Sequence, residues 1–416
     1  MKFLPKLFSK VIRKGELTLI DPKGKTQTFG GIEPGPEVTL KIHRASVDWK
    51  LFLNPELHAA EAYMDGDLDV GSGNIYDLLE IFFVNKRHFD RNPSQIFWHG
   101  LARKVKRFRQ HNPISRSRAN AKHHYDIGND LYELFLDEDM QYSCGYFPQG
   151  NETLEEAQLL KKRHLAAKLQ VEDGQRILDI GCGWGGLALY LASIADVEVT
   201  GVTLSEEQLK IAQNRAKAAG LADRVRFELI DYRNVTEQFD RVISVGMLEH
   251  VGAHHLPEYF LKVRDRLAAD GLALIHSIST KSSPGITGPF IRKYIFPGGY
   301  SPSLSETTAA IEKTGLWITD VETWRVHYGR TLREWRNRFT ANRDKVRDLY
   351  DERFCRMWEF YLAACEGAFQ YGSAMVFQVQ LGRERDSAPL HRDYIGEAEK
   401  AIAMREPSKL VIRKAA

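Results

Sequence analysis

The sequence is poor in cysteine, with only four cysteines in 416 residues. None of the four stands in a CxxC pair, the spacing that is typical of zinc sites and redox-active thiols. Secreted domains that depend on disulfides carry many cysteines in much shorter chains. The cysteine usage therefore argues against a zinc site and against a secreted disulfide framework.

The chain also lacks an uninterrupted apolar segment at its N-terminus. The stretch FLPKLFSKVI is broken by Lys6 and Lys10, and no small-residue cleavage site follows it, so it predicts neither a spanning helix nor a signal peptide. Its apolar residues recur at helical spacing. Two interpretations are open: a helix lying on a membrane surface, or a helix packed on the protein's own body.

Acidic residues are missing from two stretches, although the net charge of the whole chain is only +3. Residues 2–14 contain five Lys or Arg and no acid, and residues 91–122 also contain no Asp or Glu. Such local basic density is typical of proteins that bind a polyanion, either nucleic acid or an anionic membrane surface. No nucleic-acid-binding module accompanies the basic stretches, so we favour the membrane surface.

The residues that are present predict several regions, and the length suits two or three domains. Residues 1–90 predict a small α+β domain with a hairpin around Pro22-Lys23-Gly24, and residues 91–120 predict a basic linker. Short β-rich runs alternate with helical segments from 121 to 383, which predicts a mostly parallel sheet with helices on both faces. A long helix over about 331–369 and an antiparallel last strand, SAMVFQVQL, follow; residues 384–416 form a polar tail.

The sharpest motif is the turn ILDIGCGWGG, in which a buried strand runs into closely spaced glycines. Gly181, Gly183 and Gly185 are expected to let a ligand approach the backbone closely. A dinucleotide is one possible ligand. Asp179 at the strand end would repel a pyrophosphate, whereas it suits S-adenosylmethionine, which carries an ammonium and a sulfonium.

The ends of the next strands predict the remaining contacts with this cofactor. The second strand leads into GVTLSEEQ, where Thr203, Leu204 and Gln208 replace the acid that often holds ribose hydroxyls, and Ser205 caps the next helix. Asp231 and Tyr232 end the third strand and suit the adenine amino group and ring face. The alternative for Asp231 is an ordinary solvated loop acid.

Several further motifs together resemble the cyclopropane-fatty-acyl-phospholipid synthases, with mycolic-acid cyclopropane synthases as relatives of the core. These motifs are KHHYDIGNDLYELFLDEDMQYSCGYF, GMLEHVG, IHSI, YIFPGGYSPSLSE and VHYGRTL, beside the glycine turn and GVTLSEEQ. The resemblance covers about 120–383, and the basic N-terminal domain is also similar. It implies a class I methyltransferase fold: a Rossmann-like, mostly parallel seven-stranded sheet with an antiparallel last strand, plus the N-terminal α+β domain.

The resemblance implies a reaction as well. The cis double bond of an unsaturated phospholipid acyl chain takes the methyl group of S-adenosylmethionine, and a bound bicarbonate removes a proton from the resulting carbocation to close the ring. The pocket residues that the family pattern assigns to this step are Cys144, Glu249, His276, Ile278 and Tyr328. Without the resemblance, His276 would be interpreted as a core histidine and Tyr328 as an edge-strand aromatic.

Two aromatic segments are expected to enclose the reaction. The resemblance makes QYSCGYF and the HYDIGND turn around Tyr125 a lid, in which Tyr142 and Ser143 face the cofactor and Cys144 contributes its small size and its N–H. The stretch 288–306 is aromatic and turn-rich, and a lipid chain needs an apolar tunnel. We expect Phe290, Tyr294, Phe296 and Tyr300 to line it, with Arg292 and Lys293 near a lipid phosphate. The alternative is a loop packed over its own domain.

The sequence therefore predicts an enzyme in the cytoplasm, peripheral on the inner face of the membrane, whose partners are an anionic phospholipid surface and an unsaturated acyl chain. A homodimer is expected, because it is the commonest assembly and would double the docking surface. Two rival functions are a methyltransferase that makes methyl-branched lipid and a non-catalytic lipid-binding protein. A pure binder has no use for the cofactor residues.

Overall fold

The computed structural model describes residues 1–90 and 128–407. The predicted basic linker lies outside these ranges, as do His123, His124 and Tyr125. The chain divides into two compact units. The first unit takes its described residues from Met1–Arg109, Ile286–Pro297 and Leu332–Ser373, and the second takes them from Gln110–Gly285, Gly298–Thr331 and Ala374–Ala416.

Residues 1–90 form an α+β arrangement, as the sequence predicts. Its elements are α1 (Leu4–Val11), β1 (Lys14–Ile20), β2 (Thr26–Gly30), β3 (Glu33–Ile42), α2 (Ser46–Leu53), α3 (Pro55–Met64), β4 (Leu68–Ser72), α4 (Ile75–Val84) and α5 (Lys86–Asp90). The strands form a four-stranded sheet in the order β2-β1-β3-β4. The predicted hairpin is confirmed, because β1 and β2 pair antiparallel across the turn.

The apolar stripe of α1 faces the protein itself. Leu4, Phe8 and Val11 are buried, and the Phe8 ring lies 5.9 Å from Phe29 and 5.8 Å from Phe82 between centroids. Helical spacing puts these side chains on one face, where they bury apolar surface against β2 and α4. Of the two interpretations of this stripe, the membrane-surface helix is therefore wrong for its buried residues.

Residues 128–407 contain the alternating strands and helices that the sequence predicts. The helices are α6 (Asn129–Glu133), α7 (Leu154–Leu169), α8 (Gly186–Ile194), α9 (Glu206–Ala218), α10 (Leu256–Arg266), α11 (Leu304–Ile311), α12 (His327–Ala341), α13 (Arg343–Leu349), α14 (Glu352–Gln370) and α15 (Asp393–Arg405). The strands are β5 (Arg176–Ile180), β6 (Glu198–Thr203), β7 (Val225–Leu229), β8 (Phe239–Val245), β9 (Leu267–Thr280), β10 (Trp317–Trp324) and β11 (Ala374–Gly382).

These strands form a seven-stranded sheet in the order β10-β11-β9-β8-β5-β6-β7. Strands β5 to β9 pair in parallel, and β11 pairs antiparallel with both β9 and β10. The predicted sheet and its antiparallel last strand are confirmed. Separate apolar cores lie on its two faces, one with α7 and α8 and the other with α10.

Three local predictions need correction. The predicted helix over 331–369 is divided into α12, α13 and α14, because the chain leaves helical geometry at Asn342 and again at Tyr350, before the N-cap Asp351. Tyr328 lies in the first turn of α12 rather than on an edge strand. The predicted polar tail contains α15, whose Ile395 and Ile402 are buried in the α7 and α8 core.

Across residues 1–90 and 128–407, every helix is too short or too polar to cross a membrane.

Candidate active site

The predicted cofactor residues gather at one edge of the sheet, where the parallel strands end. Asp179 lies near the end of β5, Thr203 ends β6, and Asp231 follows β7. Gly246 follows β8 and donates its N–H to the carbonyl of His276 on β9, at 2.9 Å. Ligands of open α/β sheets bind at the carboxyl ends of the strands, so this edge is the candidate active site.

The glycine turn has the backbone that its sequence predicts. Gly183 has φ +55°, and a Cβ built there would meet nothing within 4 Å, which leaves open space beside the backbone. Gly185 has φ +80°, and a Cβ there would lie 2.6 Å from the Phe227 ring. Both positions favour glycine because other residues rarely adopt positive φ. Cys182 packs into the core.

Gly181, the first glycine of the turn, differs from Gly183 in its surroundings. Its φ is also positive, at +83°, but a Cβ built there would lie 3.1 Å from the Met247 side chain. Its N–H is donated to the carbonyl of Val202 on β6 at 2.9 Å, so it is not available to a ligand. Glycine at 181 therefore serves the turn and its packing against Met247. The open space expected beside the backbone is found at Gly183 and not in the Cβ direction of Gly181.

Asp179 is a buried carboxylate that can accept a further hydrogen bond. Its Oδ2 is enclosed and has no hydrogen-bond partner among the described residues. Burial raises the pKa of the Asp179 carboxyl to about 7, while the nearby Lys161 ammonium acts in the opposite direction. A cationic ligand would favour the ionised form, so the arrangement suits the ammonium that the sequence analysis assigns to this residue.

Glu249 is the second buried carboxylate at this edge. It lies in the short 3₁₀ turn after β8, and its Oε1 accepts the N–H of Ile278 at 2.6 Å. Its Oε2 is enclosed without a hydrogen-bond partner in the described part of the chain. Burial raises the pKa of the Glu249 carboxyl to about 7, and the bond from Ile278 opposes the rise. The structure thus brings together two of the five predicted pocket residues.

His276 lies two residues before Ile278 on β9 and is also buried. Its Nδ1 is 3.3 Å from the amide nitrogen of Gln378 on β11. Burial, followed by the positive charges of Lys161 and Lys168, lowers the pKa of His276 to about 3. The imidazole is therefore neutral at physiological pH and has one ring N–H to donate.

Cys144 and Tyr328 lie on segments that are joined by hydrogen bonds. Gly145, next to Cys144, donates its N–H to Thr331 Oγ1 on α12 at 3.0 Å, and Phe147 donates its N–H to His327 Nδ1 at 3.0 Å. The Cys144 side chain is buried, and burial raises the pKa of its thiol. A raised pKa disfavours the thiolate, so Cys144 is not arranged as a nucleophile.

The segment predicted as a lid is anchored on two sides. Besides the bonds to α12, Tyr146 donates its N–H to the carbonyl of Ala157 on α7 at 2.9 Å. The Tyr146 ring stacks on Trp324 with centroids 4.6 Å apart, and the Tyr142 ring meets Tyr132 edge-on at 5.1 Å. The aromatic residues around Cys144 therefore hold this segment against α6, α7 and β10.

The residues predicted to bind the ribose and the adenine form hydrogen bonds with different partners in the protein. Thr203 donates its hydroxyl to Gln208 Oε1 at 3.1 Å, and Ser205 caps α9 as predicted. Leu204 is half-buried between them. Asp231 is buried rather than a solvated loop acid, but its carboxylate accepts the Arg233 guanidinium at 2.8 and 2.7 Å.

Tyr232 and the predicted substrate residues have packing partners. Tyr232 is buried against Tyr259, with ring centroids 5.4 Å apart. In the first unit, Phe290 packs edge-on against Phe360 and Phe296 against Tyr361, while Tyr294 and Lys293 both donate to Glu61 Oε1. In the second unit, Tyr300 donates its N–H to the Glu249 carbonyl at 2.8 Å. Lys293 is thus held by a carboxylate, which differs from its predicted contact with a lipid phosphate.

Two groups beside the site were missed by the sequence analysis. Lys161 on α7 is buried and donates to Gln141 Oε1 at 2.6 Å and to Ser143 Oγ at 2.9 Å. Gln158, one turn earlier, donates to the Ser143 carbonyl at 2.9 Å. A signal was present, because Leu154, Ala157, Lys161 and Leu165 share a helix face.

The fold and this edge define a class. A mostly parallel seven-stranded sheet, an antiparallel last strand, and a glycine turn beside a buried acid are the features of a class I S-adenosylmethionine-dependent methyltransferase. The residues fit such a ligand, because the unpartnered carboxylate oxygen of Asp179 suits its ammonium and Gly183 leaves room beside the backbone.

Comparisons with known proteins give the family. Residues 113–379 match the family model described as mycolic acid cyclopropane synthetase, and residues 3–94 match a domain of unknown function, DUF7884. The chain is 40% identical over 331 residues to the cyclopropane-fatty-acyl-phospholipid synthase of Escherichia coli K12, covering 79% of this chain and 83% of that protein. It is 37% identical over 353 residues to a "Probable fatty acid methyltransferase" of Pseudomonas putida, covering 83% and 87%.

A solved structure agrees with this match. The mycolic acid cyclopropane synthase CmaA1, complexed with SAH and CTAB, superposes with a TM-score of 0.61 at 30% identity, covering 65% of this chain and 99% of that one. The chain belongs to the mycolic acid cyclopropane synthetase family. It is an S-adenosylmethionine-dependent methyltransferase, and at family level its reaction is methyl transfer to, or cyclopropanation of, lipids. The predicted family, fold class, enzyme class and S-adenosylmethionine are confirmed.

Proposed function

We propose that this enzyme adds a methylene group to the cis double bond of unsaturated acyl chains in membrane phospholipids and closes a cyclopropane ring. The observation that carries the proposal is the buried carboxylate of Glu249. One of its oxygens is held by the Ile278 N–H at 2.6 Å, and the other is enclosed without a partner among the described residues. A carboxylate in this state is ready to accept a hydrogen bond from a small ligand in the pocket.

S-adenosylmethionine, when bound, supplies an electrophilic methyl group. Asp179 would hold its ammonium, the open backbone at Gly183 would let it approach, and Thr203 and Gln208 would bind its ribose. Once the double bond has taken up the methyl group, the acyl chain carries the positive charge. Ring closure then requires a base that removes one proton from the added methyl group.

We propose bicarbonate as that base. A protein carboxylate that removed the proton itself could attack the carbocation directly and form an ester. Glu249 would accept the hydrogen bond of the bicarbonate hydroxyl and orient it. Neutral His276 would donate its ring N–H, and the backbone N–H of Cys144 and the Tyr328 hydroxyl would complete the anion site. The Ile278 N–H, which is donated to Glu249, would hold the orienting carboxylate in place. The enclosed position of these groups keeps water away from the cation.

The test is incubation of the purified protein with unsaturated phosphatidylglycerol vesicles and methyl-labelled S-adenosylmethionine. We expect label in the acyl chains, a mass increase of one CH2, and cyclopropane protons in the NMR spectrum. Unlabelled lipid would refute the proposal. Depletion of bicarbonate should slow the reaction reversibly, and an unchanged rate would refute bicarbonate as the base.

A second candidate product is a methylene- or methyl-branched chain, which the similarity to the Pseudomonas putida protein favours. The methylene branch would arise from the same cation if a hydride shift first moved the charge to the carbon that bears the added methyl group, which then loses the proton to form a C=CH2 bond. A saturated methyl branch would also require a reductant that adds two hydrogens to this alkene. The NMR spectrum separates the two products, because a methylene branch has alkene protons and a cyclopropane has none.

We also propose that the first unit docks on an anionic phospholipid surface. Phe3 is about half exposed, and its ring lies 5.2 Å from that of Phe52. Trp49 and Leu53 are exposed on the same face of α2 as Phe52, since Trp49 lies three residues before Phe52 and four before Leu53. Asp48 accepts the N–H groups of Lys2 and Leu4 at 2.6 and 2.8 Å, which fixes the start of α1 beside α2.

We define the aromatic surface as Phe3, Trp49, Phe52 and Leu53, and basic residues stand close to its members in the sequence. Lys2 and Lys6 are exposed beside Phe3 in the sequence, and Lys50 follows Trp49. Exposed aromatic rings bordered by lysines suit the interface of an anionic bilayer, where rings enter the headgroup region and ammonium groups meet phosphates. We propose that the enzyme works on the inner face of the membrane, as a homodimer with two such surfaces.

A further inference from the structure

Lys161 is a buried ammonium group without a carboxylate ion-pair partner in the described part of the chain. Its side chain is 1% exposed, although lysine is rarely fully buried. Its two hydrogen-bond acceptors, Gln141 Oε1 and Ser143 Oγ, are both neutral. An ammonium has three N–H groups to donate, so one remains for a further acceptor.

The charges of Asp137, Asp139 and Asp179 act on Lys161, but among the described residues none of these acids forms an ion pair with it. Asp139 accepts Lys162 Nζ at 2.5 Å and also pairs with the Arg215 guanidinium. Asp137 accepts the backbone N–H groups of Asp139 and Gln141. A buried charge that is left uncompensated destabilises the folded state. The arrangement is therefore that of a site prepared for an anion rather than a closed structural ion pair.

The position of Lys161 identifies the anion. Gln141, which accepts from Lys161, lies against the helix that follows the glycine turn, because a Cβ on Gly186 would be 2.4 Å from Gln141 Nε2. Ser143, the other acceptor, belongs to the segment that is expected to face the cofactor. The charge of Lys161 also acts on Asp179, because it opposes the rise in the pKa of that carboxyl.

S-adenosylmethionine carries an ammonium and a carboxylate on the same carbon, at the end of its methionyl chain. Asp179 provides a buried anion for the ammonium, and Lys161 provides a buried cation for the carboxylate. We propose that Lys161 binds the methionyl carboxylate of S-adenosylmethionine through its third N–H, so that Lys161 and Asp179 together recognise the zwitterion. The proposal rests on the enzyme's use of S-adenosylmethionine.

The test compares two ligands that differ only in the carboxylate: S-adenosylhomocysteine and its decarboxylated analogue. Their Kd values are measured by calorimetry for the wild-type enzyme and for Lys161→Met, which keeps the length of the side chain and removes its charge. We expect the wild-type enzyme to prefer S-adenosylhomocysteine by about tenfold to a hundredfold, the range of a charge-assisted hydrogen bond. Lys161→Met should lose most of that preference while binding the analogue nearly as well as the wild-type enzyme does.

Lys162→Met is the matched control, because Lys162 is also buried on α7 but is paired with Asp139. It should retain the preference for the carboxylate. Equal weakening of both ligands by Lys161→Met would overturn the proposal and leave Lys161 as a residue that only orders Gln141 and Ser143. An unchanged preference would overturn it as well.

Two further outcomes remain distinguishable. Absence of S-adenosylhomocysteine binding to the wild-type enzyme would count against the cofactor assignment itself, not against Lys161 alone. If Lys161→Met does not fold, as judged by circular dichroism, Lys161→Gln is measured in its place. Loss of the preference for S-adenosylhomocysteine would again support the proposal, and an unchanged preference or equal weakening of both ligands would overturn it.

Discussion

At the residue scale, burial affects the pKa values of the carboxyl groups in the site more than ion pairing does. Glu249 and Asp179 are enclosed, each has one carboxylate oxygen without a partner among the described residues, and burial raises both pKa values to about 7. Strongly shifted carboxyl groups in a crevice are typical of functional sites rather than of structural ion pairs. Ionisation of these buried carboxyl groups lowers the free energy of unfolding, and the variant described next tests this effect at Glu249.

Glu249→Gln should stabilise the protein above pH 7 and inactivate it. The folded-state pKa of about 7 lies above the ordinary value of 4.5. The contribution of Glu249 to stability is therefore present below about pH 4.5 and is lost as the pH rises through 7. At pH 8.5 the neutral variant should gain up to about 3 kcal/mol, since each pKa unit corresponds to about 1.4 kcal/mol. Tm measured at pH 5 and pH 8.5 checks this.

The glutamine introduced in this variant keeps an oxygen for the Ile278 N–H, so the local fold should survive. Activity should fall at least a hundredfold, roughly, if Glu249 orients the base. Glu312→Gln, at an exposed position on the same unit, is the control and should change neither Tm nor rate. Full activity in Glu249→Gln would refute the orienting role, and an equal Tm change at both pH values would refute the buried, shifted carboxyl.

Cys144 provides the second prediction. Its thiol is buried with a raised pKa, so its size and backbone N–H matter more than its sulfur. Cys144→Ala should therefore keep kcat/KM within about tenfold of the wild-type value, whereas Cys144→Leu should abolish activity because the enclosed site has no room for it. Steady-state assays on lipid vesicles decide the point. Complete loss of activity in Cys144→Ala would show that the sulfur itself is required.

At the element scale, α15 is a structural part of the methyltransferase unit. His164 on α7 bridges Glu399 on α15 and Glu322 on β10, at 2.8 and 3.0 Å. The fully buried Lys168 pairs with Asp320 at 2.6 Å. These bonds join α15, α7 and β10. Because the His276 ring lies 5.2 Å from that of Trp324 at the end of β10, the C-terminal helix supports the wall of the site.

Ile402→Ala should therefore destabilise the protein by about 2–4 kcal/mol, because it removes a buried side chain and leaves a cavity. Met404 lies two residues further along the same helix and is 83% exposed. Met404→Ala is the matched control and should stay within about 0.5 kcal/mol of the wild-type protein. Urea unfolding followed by circular dichroism measures both. Equal stability of the two variants would show that α15 contributes little to the folded unit.

The strands and the glycine turn were predictable from the sequence because each buried strand of the sheet has a local apolar run, such as RILDI. The packing of α15 was not, since its two isoleucines, Ile395 and Ile402, are separated by a stretch that contains Glu397, Glu399 and Lys400. Lys161 was missed because it begins the charged run KKRH, and such a run is typical of an exposed part of a helix. The family resemblance supplied His276 and Tyr328, because their surroundings come from parts of the chain that are distant in sequence. Gln378 on β11 contacts His276, and the segment around Cys144 is bonded to α12.

At the whole-molecule scale, the chain order does not follow the compact units. Residues 286–297 and α14 belong with the first ninety residues rather than with the seven-stranded sheet. Tyr63 on α3 donates to Glu359 on α14 at 3.0 Å, and Arg356 pairs with Asp69 at 2.7 Å. Local sequence patterns do not contain such long-range pairing. The unit that carries the aromatic surface therefore draws on three separate segments.

The exposed rings of the aromatic surface should contribute to binding of the protein to membranes. Combined replacement of Phe3 and Trp49 by Ala should weaken co-sedimentation with phosphatidylglycerol vesicles by at least about tenfold, because each ring contributes roughly 1.5–3 kcal/mol when it leaves water. Trp317→Ala is the matched control, since Trp317 is exposed to a similar extent on the other unit. It should bind vesicles as the wild-type protein does.

Charge should act separately from the rings. Lys2→Glu with Lys6→Glu should weaken binding at low salt and have less effect at about 0.5 M salt, because exposed charges are screened over a few ångströms there. S-adenosylhomocysteine affinity should stay unchanged in all these variants, since none of the residues belongs to the cofactor site. If the Phe3 and Trp49 double variant sediments as well as the wild-type protein, the docking surface lies elsewhere, and if only the lysine variant fails to bind, docking is electrostatic without insertion of the rings.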